Sequence, residues 1–534
     1  MSPIQKTGMV KTKSIVVIGA GIGGIAAAAR LARQGFQVSV FEKGPRPGGR
    51  ASTVEQDGFY FDTGPTIFLM PEVFAETYAA LGQRLEKHLD LTRLDPAYRV
   101  HFHDESILNL TPDLFQMRSQ LDAMEAGAFE SYLRFMAEGH LNYRLALKHF
   151  VGRNFYSFFD YFNPAKLPLM IKMKALVKHA NNVASYFKDP RLQAAFSFQN
   201  MYLGVSPYDA PATFSLLQYT EMGNGIWFPR GGMYRVIESL ASIAEDLGVH
   251  FYYNAPVAQI DVQEVQATGV TLEDGRRFPA DLVVANADLP YVYSKLLPQD
   301  EQTRHDASRL ATKKYTSSAL MFFWGVKGER SPHLLHHNMF LADHRYRASF
   351  DAIFQDHTLP DEPSFYVCAP TRTDPTLAPP DSDSLTVLVP VGNLDESRPQ
   401  DWEQLQAQEI ATVVIERTQH LARQMVIQRL EAIGVADLEK RIVFETGWGP
   451  GYYKNALNLV NGSAFGLSHN FTQVGYLRPH NRHPRYRNLY FAGASTHPGT
   501  GLPIVLLSAR LTVERILKEQ SNPHSQSVQA LGRA

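Results

Sequence analysis

The apolar positions of this chain come first in short unbroken blocks and only later in periodic stripes. Ile15-Val16-Val17-Ile18 has the length and composition of a strand buried on both faces. Small and apolar residues continue at helical spacing over 25–34, with Gly35 in the place of a helix C-terminal glycine. Val38-Ser39-Val40-Phe41 predicts a second strand, and two further buried strands are expected at 281–285 and 488–493. An amphipathic helix over 234–247 leads into Val249-His250-Phe251-Tyr252-Tyr253, and Asp274-Gly275 marks a hairpin turn. Leu320-Met321-Phe322-Phe323-Trp324 belongs to a region of aromatic strands, and a helical pattern covers 504–517. The stretch before residue 224 reads as helix-rich, punctuated by Pro164, Pro168, Pro190, Pro207 and Pro211, while the proline-rich stretch 363–380 is expected to be a surface loop. Strands alternating with helices predict an α/β fold. Its parts are interleaved: pieces of one unit at 13–80, 225–300 and 445–520, insertions at 81–224 and 301–444, and a polar tail at 521–534.

Candidate chemistry enters at the first turn. Gly19, Gly21 and Gly24 stand in G-x-G-x-x-G spacing between strand and helix, where glycines let the backbone approach a pyrophosphate at a helix N-terminus. Glu42 follows Gly24 by 18 residues, about where a carboxylate takes the hydroxyl pair of an adenosine ribose. An acid there argues against a 2′-phosphate and hence against NADP. Gly48-Gly49-Arg50 and Phe61-Asp62-Thr63-Gly64-Pro65-Thr66 come next. Here the chain resembles the flavoprotein superfamily of amine oxidases and carotene desaturases. That resemblance implies FAD, with Arg50 beside the flavin diphosphate and Gly49, Gly64, Pro65 and Thr66 at the cofactor site. Asn254-Ala255-Pro256-Val257 resembles the family strand whose backbone contacts adenine, which assigns Val257 to the same site.

The far end of the sequence closes this site. A strand ending at Gly493 leads through Ala494-Ser495-Thr496-His497-Pro498-Gly499-Thr500-Gly501-Leu502-Pro503 into a helix. A helix N-terminus aimed at the flavin pyrimidine edge would stabilise the charge that develops on reduction. Many flavoproteins carry an Asp after the glycine corresponding to Gly493; this chain has Ala494. The stretch 493–506, together with Leu477-Arg478-Pro479-His480-Asn481, Pro229-Arg230-Gly231-Gly232-Met233 and Pro370-Thr371-Arg372-Thr373-Asp374-Pro375, resembles a narrower group, the bacterial and fungal phytoene desaturases. The resemblance implies a Rossmann-like FAD-binding domain of the amine-oxidase/desaturase type, with interleaved substrate-binding and helical membrane-contacting insertions. It assigns Gly493, Gly499, Gly501 and Leu502 to the cofactor. It also implies an oxidoreductase acting on CH–CH groups of a linear carotene, phytoene or diapophytoene, with quinone or oxygen as electron acceptor. Two alternatives stay open at this point. One is an end-group oxygenase, ketolase or carotene isomerase on the same scaffold; the other is a flavin-free prenyl-binding escort protein, against which Glu42, Arg50 and the 493–503 turn argue.

Composition changes the picture little. With 52 basic and 53 acidic residues the net charge is -1, which leaves no global nucleic-acid footprint. Cys368 is the single cysteine, so neither an intramolecular disulfide nor a multi-cysteine metal cluster can form, and a reducing compartment is compatible with it. Lys6, Lys11 and Lys13 before an apolar run imitate a signal peptide, but that run is the glycine-turn site. No run reaches the roughly 20 apolar residues that span a bilayer. The expectation is a cytoplasmic protein lying peripherally on a membrane. Arg144, Lys148, Arg153, Lys166, Lys172, Lys174, Lys178 and Lys188 accompany one acid, Asp160, amid Phe150, Phe155, Tyr156, Phe158, Phe159 and further apolar residues across 141–187. Such interleaving suits an interfacial helix pair on anionic lipid; packed core and nucleic-acid stacking are the other readings.

Removing hydrogen from a CH2–CH2 pair needs a hydride acceptor, a dry channel and an outlet for a proton. Phe196-Ser197-Phe198-Gln199-Asn200-Met201-Tyr202-Leu203 has the character of such a channel wall. No catalytic base is identifiable; Glu221 is a bare candidate. His333, His336 and His337 lack an acid at metal-ligand spacing, so they read as surface or packing residues, and no metal is expected.

Overall fold

The structure is a computed structural model describing residues 12–394 and 408–521; residues 522–534, nearly all of the expected tail, lie outside the described residues. At its centre five parallel strands lie in the order Leu489–Phe491, Leu282–Ala285, Ser14–Ile18, Gln37–Phe41 and His250–Tyr252. Alternation along the first strand explains why an unbroken apolar run is needed. Ile15 and Val17 face a layer of helices, whereas Val16 and Ile18 face the antiparallel meander Val257–Gln263, Gln266–Leu272, Arg277–Pro279. Each fully covered side chain, such as Val17 at 0% exposure, contributes about 1.5–3 kcal/mol. The Asp-Gly turn joins the last two meander strands as expected.

The glycine-turn helix spans Ile22–Arg33, three residues earlier than its apolar spacing suggested, so Gly24 lies inside the helix rather than in the turn. A Cβ on Gly24 would sit 2.1 Å from the Gly19 carbonyl oxygen; only glycine lets this helix begin so close to its strand. The helix ends as expected at Gly35, whose φ is 87° and whose N–H donates to the Ala32 carbonyl oxygen.

A second sheet stands beside the first. Its order is Ile442–Trp448, Ser318–Lys327, Ser382–Val391, Phe365–Cys368, His337–Phe340, Tyr98–His101, Ile107–Leu110, with one parallel pair between His337–Phe340 and Tyr98–His101. Leu320, Phe322, Trp324 and Val326 face Ala422, Val426, Ile427 and Leu430 of the helix Gln408–Ala432. The intervening Ala319, Met321 and Phe323 face Phe59 and Phe61.

One expectation is refined and one fails. The 81–224 insertion is helix-rich from Leu114 on, but Tyr98–His101 and Ile107–Leu110 near its start are strands, because their alternating apolar positions extend the second sheet. The stretch 363–380 is no surface loop: Phe365–Cys368 is a buried strand between two others, and Pro370, Thr371, Asp374 and Leu377 are buried after it. Its prolines flank the strand and open short turns instead of interrupting it.

Candidate active site

A cavity of about 790 Å³ opens at the C-terminal ends of the parallel strands and runs toward the second sheet. Ligands of open α/β sheets bind at that edge. Gly19, Gly21, Glu42, Gly49, Arg50, Gly64, Pro65, Thr66, Val257, Gly493, Gly501 and Leu502 all line it, although they come from five separate stretches of sequence. Gly24 and Gly499 do not. Gly24 serves the strand–helix approach, and Gly499 packs on the buried His469, whose Nε2 would be 2.5 Å from a Cβ there.

At the glycine-turn end, the two oxygens of Glu42 accept from the backbone N–H groups of Ala20 and Gly44, each at 2.8 Å. Those bonds fix the carboxylate toward the cavity and leave lone pairs for a hydroxyl pair. Arg50 is half-buried and donates to the Ala464 carbonyl oxygen at 3.3 Å. Burial lowers its pKa while Asp288 opposes the shift. Asp288 gives one oxygen to Ser495 and leaves Oδ2 buried without a partner on the cavity wall; burial raises its pKa. A cation with one weak carbonyl bond beside a glycine-lined turn fits a diphosphate, and a bare carboxyl oxygen fits a hydroxyl or N–H of the same dinucleotide.

Sequence reasoning missed Asp288 and Asn286. Asn286 donates to the Ala492 carbonyl oxygen at 2.7 Å and lies against Gly21, Gly23 and Gly493, tying three strand ends together. The available signal was their place directly after the buried strand Leu282–Ala285.

The turn after Gly493 is held from beneath. Arg478 is 1% exposed and donates to the carbonyl oxygens of Leu467, Ser468, Gln473, Ala494 and Thr496, at 2.5–3.2 Å. Burial lowers its pKa to about 9. Asn481 Nδ2 reaches the carbonyl oxygens of Phe491 and His497. The 477–481 motif is thus the floor of the turn, not its face. Two other motifs join each other: Asp374 accepts from Gly231 N–H at 2.8 Å, and Asp62 accepts from Met233 and Tyr234 N–H at the start of the helix Tyr234–Asp246.

Toward the second sheet the lining turns apolar, with Phe198, Met201, Leu216, Met339, Leu341 and Leu388 on its walls. Part of the 196–203 segment therefore lines the cavity. Glu221 does not; it is buried behind the wall, accepting from Tyr98 at 3.2 Å and Gln199 at 3.0 Å, and burial pushes its pKa up to about 8. His333 is exposed, whereas His336 and His337 are buried near Cys368.

The expected interfacial helix pair is broken into short helices, Phe158–Tyr161 and Leu167–Lys172, and no helix among the described residues is long and apolar enough to cross a membrane. Phe155, Tyr161 and Met173 are buried, but Phe159, Ile171 and Leu176 are 76%, 69% and 77% exposed. Lys174 pairs with Glu138 and Lys178 with Asp209, acids far away in sequence.

The profile of the flavin containing amine oxidoreductase family matches residues 22–517. The chain is 47% identical over 506 residues to a zeta-carotene-forming phytoene desaturase of Myxococcus xanthus, covering 95% of this chain and 94% of the relative. It is 41% identical over 515 residues to a phytoene desaturase of Phycomyces blakesleeanus, covering 95% and 86%. An oxidoreductase of Methanosarcina mazei shares the fold at a TM-score of 0.61 with 18% identity, over 95% of this chain and 100% of that one. The chain belongs to the flavin-containing amine oxidoreductase family, on its phytoene desaturase branch, and is an FAD-dependent oxidoreductase.

Proposed function

We propose that the protein introduces C=C bonds into a linear carotene, phytoene or the shorter diapophytoene, while lying on a lipid surface, with quinone or oxygen as final electron acceptor. The observation that carries this reading is the change of character along one cavity. A polar, glycine-lined end with Glu42, Arg50 and Asp288 gives way to an apolar end lined by Phe198, Met201, Met339, Leu341 and Leu388. FAD, when bound, supplies the hydride acceptor. The residues proposed to hold it are Glu42 at the ribose, Arg50 at the diphosphate, and the backbone at Gly19, Gly21, Gly49, Gly493, Gly501 and Leu502. Gly64, Pro65 and Thr66 would bound the ring end, and Val257 the adenine end. A polyene offers no polar handle, so the apolar wall must bind it by burial alone, at about 25 cal/mol per Å². The same wall excludes water and holds one CH2–CH2 pair in place, which lowers the barrier by positioning.

The lipid surface is supported by Phe159, Ile171 and Leu176, exposed on one short stretch together with Lys172. Basic residues among exposed apolar side chains suit an anionic headgroup layer. Expression in a host that makes phytoene tests the main reading. Extracts should gain the long-wavelength absorption of a lengthened polyene; unchanged colourless phytoene beside flavin-loaded protein would refute it.

A further inference from the structure

The second hydrogen lost in desaturation leaves as a proton, and it must leave through an apolar wall. Tyr366 and Thr66 place hydroxyls in that wall, 2.8 Å apart, each residue being 8% exposed. They stand where the two ends of the cavity meet. Thr66 is two residues from Gly64, which packs so tightly on Arg50 that a Cβ would lie 1.9 Å from its carbonyl oxygen, and Tyr366 belongs to the central strand Phe365–Cys368 of the second sheet. Behind the wall, Tyr366 Oη lies 2.6 Å from Nδ1 of His337, a residue 1% exposed. Its other nitrogen, Nε2, has no partner, and its ring packs against Tyr98. Tyr346 also lines the cavity, but its hydroxyl is engaged by Ser197 and the Ala194 carbonyl oxygen. Among the described residues, Tyr366 is the cavity-lining tyrosine with a hydrogen bond to an imidazole.

Resting on the desaturase reading, we propose that Tyr366 takes the proton from the carotene and relays it to His337. The C–H electron pair of the carbon beside the hydride-losing one becomes the new C=C bond. Its proton passes to Tyr366 Oη as the phenol's own proton passes to His337 Nδ1, leaving a neutral tyrosine and an imidazolium. FAD, when bound, would accept the hydride and its electron pair lost from the neighbouring carbon. Turnover closes when a two-electron acceptor of the quinone or dioxygen class takes that pair, and the imidazolium proton returns outward through Tyr366. Burial holds the resting ring neutral, its pKa lowered to about 3. A weak base suffices, because a C–H bond next to a developing carbocation is strongly acidic, and a weak base also releases its proton readily.

Tyr366→Phe removes the relay atom and keeps the ring. With phytoene as substrate, the variant should retain full flavin absorbance and the wild-type thermal midpoint, with KM within about threefold. Its kcat should fall on the order of 10²-fold, the lower end of what a general base supplies. Deuterium at the proton-losing carbon should slow the variant more than it slows the wild type. His337→Asn, which can still accept the phenol's hydrogen bond but cannot hold a proton, should lose kcat comparably and carries the test if Tyr366→Phe comes out without flavin. Wild-type turnover rates in either flavin-loaded variant would overturn the relay. So would one equivalent of tightly bound metal in the purified enzyme, because His336, His337 and Cys368 bring ligand atoms within 4.8 Å of one another and an ion there would occupy the base. If the wild type itself leaves phytoene unchanged, the desaturase reading fails instead.

Discussion

Glu42 does two jobs with one carboxylate. Its bonds to Ala20 and Gly44 N–H brace the turn, and its remaining lone pairs face the cavity. Replacing it by arginine removes both and sets a cation beside the glycine turn. Charge-assisted hydrogen bonds are each worth about 1.5–3 kcal/mol, so Glu42→Arg should weaken FAD binding at least tenfold, read by fluorescence titration at low added FAD. Full flavin occupancy in that variant would remove Glu42 from the ribose site. Gly499 acts differently from what its place in the turn suggested. Valine there meets His469 and not the cavity, so Gly499→Val should destabilise by about 1–3 kcal/mol through overpacking. A lowered thermal midpoint with flavin still bound at low temperature is the expected result; an unchanged midpoint would contradict the packing. Glu42 was legible in the sequence because its partners lie within 22 residues and follow fixed spacing. Asp288 was not, because its partner Ser495 is 207 residues away and nothing local marks the pair.

At the scale of elements, the blocks of apolar residues identified the three parallel strands Ser14–Ile18, Leu282–Ala285 and Leu489–Phe491, since a strand buried on both faces has no polar positions to confuse the pattern. The strands at 98–110 and the buried stretch after Pro363 were missed for the opposite reason: their partners in the second sheet come from distant segments, and proline masked a short apolar run. Motifs marked which stretches come together, but not which of their residues line the cavity or what each does. Arg478, Asn481, Asp62 and Asp374 all bond backbone groups and so join elements rather than touching the cavity contents. Glu221 is another such joint, linking Tyr98 of the second sheet to Gln199 in the turn Phe198–Leu203. Its folded pKa of about 8 exceeds the ordinary value of 4.5, so the folded protein holds a proton that the unfolded chain has lost. The associated stability is complete below pH 4.5 and is lost as pH rises through 8, at about 1.4 kcal/mol per unit at most. Thermal midpoints of the wild type should therefore fall more steeply between pH 5 and about 8 than those of Glu221→Gln. Parallel slopes would mean that Glu221 is ionised in the folded state.

For the whole molecule, the cavity lies between the glycine-turn end of the parallel sheet and the apolar wall of the second sheet, and Phe159, Ile171 and Leu176 of the stretch 158–177 are exposed. Phe159→Ser, Ile171→Ser and Leu176→Ser together should abolish co-sedimentation with anionic vesicles while sparing flavin content, because each apolar side chain contributes about 1.5–3 kcal/mol when buried. Lys172→Glu should weaken binding further and respond to salt; Lys174 and Lys178 are poorer probes, since Glu138 and Asp209 already hold them. Vesicle binding equal to wild type in the triple variant would leave the surface route without support.

The five-stranded sheet draws its strands from three distant segments, with about 200 residues between Leu282–Ala285 and Leu489–Phe491. A ribosome adding roughly 5–20 residues per second needs on the order of 10–40 s to cross that interval. Throughout it, Ser14–Ile18 and its neighbours wait with the edge of Leu282–Ala285 unpaired, and Asn286 has no Ala492 to hold. The nascent protein therefore carries an open strand edge until the helix Leu502–Ser521 is being made, and the cavity lacks Gly493, Gly501 and Leu502 until then.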